Sequence, residues 1–507
     1  MSKAPAYWKK SLAHRGGFLL QVAIVLFWAA MMGLLVEKSF IRPEAPRFTP
    51  ALAREWMKTG EEWRGIYLGK EKIGYAVTAK QQEGKLVSVK EQAWLKLTML
   101  GIPQNIEQTL EYRTNNNLAL ESFDFALRSG LLQFRLVGRV EDCPAKAGKC
   151  LRLQVHSGGK EHQQEIALQE IPYLFGQTKP YFFSQGLEKG KKYRIPVFDP
   201  STLSTVEMIA EVEGTERLSI GGEEKELYRV REELRGIVVK SWMDSRGEIW
   251  KEESPLGLVL LRENKNEAIS KNWGRGKAAD LIALTAIPVN REIQNPRSTR
   301  YLRARLLSPA LKDLKIEGGR QSRDGNVVIV RQEEFPPKPS TLQPLSEEAR
   351  REALRSTPFI QSDDPEVKRR AAAIVDGIQD PAEKVRRIAA WVYGEIEKRP
   401  VLSIPSAVEV LRQKVGDCNE HAVLFTALVR SAGIPAHMQA GIIYQGGKFF
   451  YHAWAVVNLG AWVSVDPLLN QIPADATHIH LVEGDLDKQL EIVKVIGRLQ
   501  VEVLEAR

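Results

Sequence analysis

The sequence predicts an α+β protein in three parts: an N-terminal transmembrane helix, a large antiparallel β domain, and a C-terminal domain in which helices precede adjacent strands. Three observations predict it. Residues 18–36 ("FLLQVAIVLFWAAMMGLLV") are a 19-residue run in which only Gln21 is polar. From about Trp63 to Asn264, apolar and polar residues alternate with period two between Gly and Asn turns. Beyond Ser346 the period becomes helical, and after Gly433 it returns to that of strands.

Length and charge set the frame. A chain of 507 residues, 43% hydrophobic, is too long for one core. Its net charge of +9 comes with no basic block interleaved with aromatics and no zinc-finger spacing. In "WGRGKAAD" Ala278 stands where a phosphate loop needs Ser or Thr. Nucleic acid, nucleotide, metal and other cofactors are therefore not expected. The charge reads as a solvated basic surface towards anionic lipid or wall polymer.

The apolar run would span about 28 Å as a helix, enough for a hydrocarbon core. "VEKSF" follows it without an Ala-x-Ala site, so an uncleaved anchor is expected rather than a signal peptide. Basic residues lie on both sides, Lys3, Lys9, Lys10 and Arg15 before it and Lys38, Arg42 and Arg47 after it. They bias orientation only slightly. The cysteines add to this. Cys143 and Cys150 bracket "PAKAGK" between two alternating runs, at the ends of a β-hairpin where they can bridge. A disulfide implies an oxidising compartment. The body is expected on the periplasmic or extracellular side of the cytoplasmic membrane, with residues 18–36 crossing it.

The expected organisation is a tail and anchor (1–36), a Pro-bearing spacer with a short helix ending near Trp63 (37–62), and an antiparallel β domain (63–270). A second β segment with a Pro-rich linker follows (271–345), then the C-terminal domain (346–507). The β domain shows no catalytic motif and reads as packing or spacer. In the last domain, capping boxes open helices at Asp380…Glu383, Ser406…Glu409 and Asp417…Glu420. The third helix runs from Cys418 to about Ala432, stops at Gly433, and turns Val423, Leu424, Ala427 and Leu428 inward.

Cys418 is the unpaired cysteine, in the first turn of that helix. The positive helix end should lower its pKa, and the Asp417 and Glu420 carboxylates oppose this. A cationic partner would decide the balance. His452 supplies a candidate. In "KFFYHAWAVV" it lies opposite an apolar face made by Phe449, Tyr451, Ala453, Ala455 and Val457. On the next strand Trp462, Ser464 and Asp466 share a face. An odd-length connection puts His452 and Asp466 on one side of the sheet, directly paired if Val456 meets Trp462; an even one separates them. His421 reads as packing or surface. His478 and His480 form a His-x-His without an evident third metal ligand, and Asp485 with Asp487 reads as a solvated turn.

The segments "GDCNEHAVLFTALVRSAGIPAH", "YHAWAVV" and "WVSVDP" resemble the transglutaminase-like superfamily of papain-fold cysteine enzymes, over roughly Ser362 to Leu490. The resemblance implies Cys418 as nucleophile, His452 as general base and acid, and Asp466 as the residue orienting the imidazole. Many members carry an acidic residue two places after the Trp of His-x-Trp, where this chain has Val456; that departure bears on substrate contacts. The expected function is acyl transfer from protein or peptide amides through a thioester. The alternative is a non-catalytic envelope module that binds a partner with the same fold.

Overall fold

The computed structural model describes residues 59–507, apart from 116–117, 131, 144–147, 158–159, 180–185, 201, 255–256, 271–272 and 274–279. The apolar run 18–36, the spacer and its expected short helix lie outside the described residues, except that Gly60–Glu62 already open the first strand. Among the described residues no helix is long and apolar enough to cross a membrane.

Fourteen strands between Gly60 and Glu263 form one antiparallel sheet. The first eight run as a meander from Gly60–Leu68 out to Lys160–Leu168. The chain then crosses to the opposite edge at Lys192–Asp199. It returns strand by strand until Leu258–Glu263 pairs with the first strand, Gly65 opposite Leu261. Alternation produces this directly, because every second side chain must leave water. Tight turns carry glycines with positive φ, such as Gly84 and Gly221.

The sheet is strongly curled. Phe123 and Phe198, on strands remote in sheet order, bring their rings within 5.4 Å. The crossing segment inserts Lys179, whose ammonium bonds the buried carboxylate of Glu232 and lies 3.3 Å from Glu252. A partly open cavity of about 630 Å³ lies beside it. Cys143 and Cys150 are bonded at the ends of their hairpin, with Cα atoms 5.1 Å apart.

Strands Tyr301–Leu307, Gln321–Asp324 and Val327–Arg331 make a four-stranded sheet with the last strand, Gln500–Ala506. Thus the segment before the linker is tied to the end of the chain. A five-stranded antiparallel sheet holds the candidate site. Its strands run in the order Ile287–Pro288, Lys448–Asn458, Ala436–Gln445, Ile479–Glu483. Trp462–Val465 shares an edge of Lys448–Asn458 with Ile287–Pro288. One covers the far end, Asn458 opposite Trp462, and the other the near end, Ile287 opposite Phe449. The stretch around His452 lies between them.

Helix Cys418–Ser431 packs on this sheet, surrounded by helices Pro365–Ile374, Pro381–Glu395 and Ala407–Gln413. A single inward stripe was expected, yet every residue from Glu420 to Arg430 is buried. Helices cover the side that a surface helix would give to water, so the apolar stripe understates the burial. The Pro400–Ile404 loop seats this core on the β domain. Gln104 Nε2 donates to Pro400 O at 2.9 Å, and Leu402 packs among Ile66, Leu97 and Leu260.

Candidate active site

Cys418 owes its position to the residues just before it. Glu397–Lys398 and Val415–Gly416 form a short parallel pair that fixes the chain entering the helix. Asp417 Oδ1 accepts from Asn419 N at 3.0 Å, and Glu420 Oε2 accepts from Asp417 N at 3.0 Å, closing the box. Gly416 is needed there: a Cβ would sit 2.2 Å from Glu420 Cβ. Ser403 Oγ donates to the other Glu420 oxygen at 2.6 Å. At the far end Gly433, with φ +81°, ends the helix. Asp380 caps as expected, through Ala382 N and Glu383 N. Ser406 does not. Its hydroxyl meets Gln361, while Glu409 accepts from Gln133 N of the β domain at 2.7 Å.

His452 and Asp466 meet as parity requires, with a different offset. The connection is the three residues Leu459–Ala461, so the strands pair Asn458 with Trp462 and Val456 with Ser464. This is two residues out from the direct pairing, and Asp466 stands level with Trp454. The diagonal is spanned by the imidazole: His452 Nε2 lies 2.8 Å from Asp466 Oδ2. Nδ1 remains as the ring's second proton site. Asp466 is fully buried, and its Oδ1 accepts from Leu468 N and Leu469 N at 2.9 and 3.0 Å. The next amide along the histidine strand, that of Ala453, is near enough to the Cys418 thiol to favour its charged form. Ala453 lies beyond the last pair of the short strand, Ala455 with Val465, so that edge is open to the cysteine helix.

The electrostatics differ from the expected lowered thiol. Burial first, then the Asp417 carboxylate, push Cys418 well above the usual cysteine range; Glu420 and Asp466 add to this, and the Ala453 amide only partly offsets it. Two carboxylates and a dry helix start outweigh the helix dipole. Glu420 is itself pushed up, by burial and by the neighbouring Asp417. Asp466 is held far below the ordinary carboxylate range: burial works against its charge, but His452 and His478 more than compensate.

His478 and Arg320 were not identified from sequence as parts of this site. His478 Nε2 lies 3.0 Å from the same Asp466 oxygen. His480 does not join it. Its own amide donates to Gln321, and burial next to Arg320 depresses its pKa to about 4. Among the described residues, His452, Asp466 and His478 are the acid and histidine donors that converge within 4.8 Å. Arg320 threads in from outside the helical core, donating to Glu333, Ser464 Oγ and Ala474 O. His421 is buried, with Nδ1 2.7 Å from Asp417 O. Asp485, expected in a solvated turn, is instead the counter-ion of the buried Arg430 at 2.9 Å. A local sequence reading cannot see a partner on another element.

The buried histidines predict loss of stability in acid. His480 is neutral in the fold, so its contribution is complete above the unfolded value of about 6.5 and is lost as pH falls towards 4. Over that window it amounts to about 3 kcal/mol, from about 1.4 kcal/mol per pH unit. His478, raised, acts in the opposite sense and loses its contribution only as pH climbs. Urea unfolding of wild type and His480→Gln at pH 7 and pH 5 should show a markedly smaller acid loss in the variant. An equal loss in both would refute this.

Residues 368–467 match the model of the transglutaminase-like superfamily. Among solved structures, a candidate cysteine protease from Cytophaga hutchinsonii aligns at 17% identity, covering 44% of this chain and 83% of its own, with a TM-score of 0.27. A β-barrel-like protein of a domain of unknown function from Brucella abortus aligns at 9% identity, 40% of this chain and 98% of its own, with a TM-score of 0.31. A candidate protease from Parabacteroides distasonis aligns at 10% identity, 68% of this chain and 69% of its own, with a TM-score of 0.18. No curated protein matches the chain.

Proposed function

Residues 368–467 of this chain form a transglutaminase-like domain, and from that premise we propose a membrane-tethered, extracytoplasmic cysteine enzyme acting on protein or peptide amides. Cys418, His452 and Asp466 carry the reaction. The observation that supports this best is the division of the imidazole: Nε2 is committed to Asp466, which leaves Nδ1 to exchange a proton with a thiol that lies by the adjacent Ala453 amide.

The thiol is neutral at rest. His452 Nδ1 takes its proton as Sγ attacks the amide carbonyl, so the ion pair forms only with substrate in place. The negative oxygen of the tetrahedral intermediate lies at the helix start, where the Cys418 amide is the expected donor. His452 then passes the proton to the leaving amine, which departs as the acyl-thioester forms. With water as acceptor, His452 takes a proton from it, a carboxylic acid leaves and the thiol is restored. With a lysine amine the same step would give a crosslink. The apolar run 18–36 would tether the enzyme, and the hairpin disulfide fits an oxidising compartment.

Trapping tests the reading. Cells expressing the tagged full-length chain are fractionated, and the envelope is treated with an acyl-electrophile probe. Wild type should retain a thioester- or probe-linked adduct on Cys418, and Cys418→Ala none. Equal capture of the same partner by both, without a covalent adduct, would favour the binding module.

A further inference from the structure

His478 is fully enclosed and packs edge-on against His452, the reacting thiol's histidine, with ring centroids 5.8 Å apart. Its Nε2 lies 3.0 Å from Asp466 Oδ2, the oxygen that also takes His452 Nε2 at 2.8 Å. Leu468 N and Leu469 N occupy Oδ1. The carboxylate thus faces four N–H donors. Two imidazole nitrogens can approach one carboxylate oxygen only if each carries a hydrogen, so both rings hold their Nε2–H. For His452 this is the arrangement that leaves Nδ1 unprotonated and able to receive the thiol proton. We propose that His478 is a positioning residue of the site: it holds the same Asp466 oxygen that takes His452 and, as the cation between two buried carboxylates, keeps His452 ready to act as base. The inference rests on the reading of Cys418 and His452 as the reacting pair.

The charges around His478 are consistent with this. Its Nδ1 is 3.4 Å from Asp475 Oδ1, and Asp475 is fully buried, paired with Arg297 Nη1 at 2.8 Å and bonded by Thr477 N at 2.8 Å. Arg320 reaches the His478 carbonyl, with its charge matched by Glu333 at 2.8 Å. From the histidine strand, the His452 and Trp454 rings meet His478 edge-on at 5.8 and 5.2 Å. His480 on the following strand is neutral, depressed to about 4. Two carboxylates, Asp466 and Asp475, therefore face one guanidinium, Arg297, and a proton on His478 completes the balance. Burial opposes that proton, but the Asp466 bond and the nearby Asp475 carboxylate outweigh it and the group is raised. The consequence for His452 follows from Coulomb's law. A cation beside His452, on the same carboxylate oxygen, offsets part of the pull that Asp466 exerts on a positive imidazole.

Cys418 is the one cysteine outside the disulfide, so alkylation by iodoacetamide reports on it alone. Labelling rates of the folded full-length protein are measured from pH 5 to 9 for wild type, His478→Gln, Asp475→Asn and His452→Ala. His478→Gln keeps an N–H for Asp466 but removes the charge. It should move the midpoint of the acid limb up by about one pH unit, a modest fraction of what an unscreened charge at this range could give. Asp475→Asn, which touches neither Asp466 nor His452, should move it the same way by less, and it serves as the test if His478→Gln fails to fold. A uniform drop in rate with an unmoved midpoint in both variants would reduce His478 to packing and overturn the proposal. If His452→Ala also labels like wild type, the catalytic pair itself falls, which separates the two failures. Micromolar zinc that blocks wild-type labelling and is relieved by His478→Gln would make the trio a metal site, and the proposal would fail on that result too.

Discussion

Replacing Asp466 by asparagine should cut turnover of a simple acyl donor, such as p-nitrophenyl acetate, by about 10⁴-fold, the drop seen when the acid of a triad becomes an amide. The reason is a hydrogen-bond count. Asp466 accepts from Leu468 N, Leu469 N, His452 and His478. An asparagine offers one accepting oxygen and one NH₂. If the oxygen keeps the two backbone amides, the NH₂ faces two imidazole N–H groups. His452 must then turn its hydrogen to Nδ1, the position that should receive the thiol proton, and the base is lost. The same mismatch in a fully buried site should cost about 1–3 kcal/mol of stability. Urea unfolding separates the two effects, because a stability loss of that size leaves the protein folded at 25 °C. Iodoacetamide labelling of Cys418 should fall far less than turnover, since the thiol itself is untouched. Turnover within about tenfold of wild type would remove Asp466 from the proposed mechanism.

What was legible in the sequence is what short-range chemistry determines. The β meander announced itself through period-two alternation, and the fourteen strands begin and end close to the expected limits. The helix at Cys418 was legible because its cap, its acidic third residue and its terminal glycine lie within one segment. So was the parity that places His452 and Asp466 on one side. The offset was not, because it depends on where the turn closes, and Leu459–Ala461 closes it so that Asn458, not Val456, meets Trp462. The state of the thiol was not legible either. Its shift comes first from burial, which the helix acquires only when three other helices and a sheet close around it. The same holds for His478, which read as half of a His-x-His pair. Its partners Asp466 and Asp475 are both in the sequence nearby, but only the fold turns His480 away and His478 inward. The anchor rests on the sequence alone, since residues 18–36 lie outside the described part of the chain.

Arg320 gives the largest expected effect on the fold. Its guanidinium is nearly enclosed, with 5% of the side chain exposed. It bonds Glu333 Oε2 at 2.8 Å, Ser464 Oγ at 2.6 Å and Ala474 O at 2.7 Å, and it reaches the carbonyls of Asp475 and His478. Glu333 in turn holds Ser464 N at 2.9 Å, next but one to Asp466. One side chain from the neighbouring four-stranded sheet therefore ties down both ends of the loop from Ser464 to His478. Arg320→Met keeps much of the volume but leaves the partly buried Glu333 carboxylate without its counter-ion and three carbonyls without this donor. Breaking a buried pair from one side costs about 3–5 kcal/mol, more than the pair contributes over an apolar substitute. The midpoint in urea should fall accordingly, with little change in its slope. Adding Glu333→Gln should recover part of the loss, because the uncompensated charge goes with it while the orphaned carbonyls stay. The pH sensitivity provides an independent check. Arg320 is one of the two causes that depress His480, so Arg320→Met should let His480 protonate at higher pH and shrink its share of the acid destabilisation. A loss below about 1 kcal/mol, with no recovery in the double variant, would show that water replaces the guanidinium at low cost and that the loop carrying Asp466 and His478 is held by its own turns.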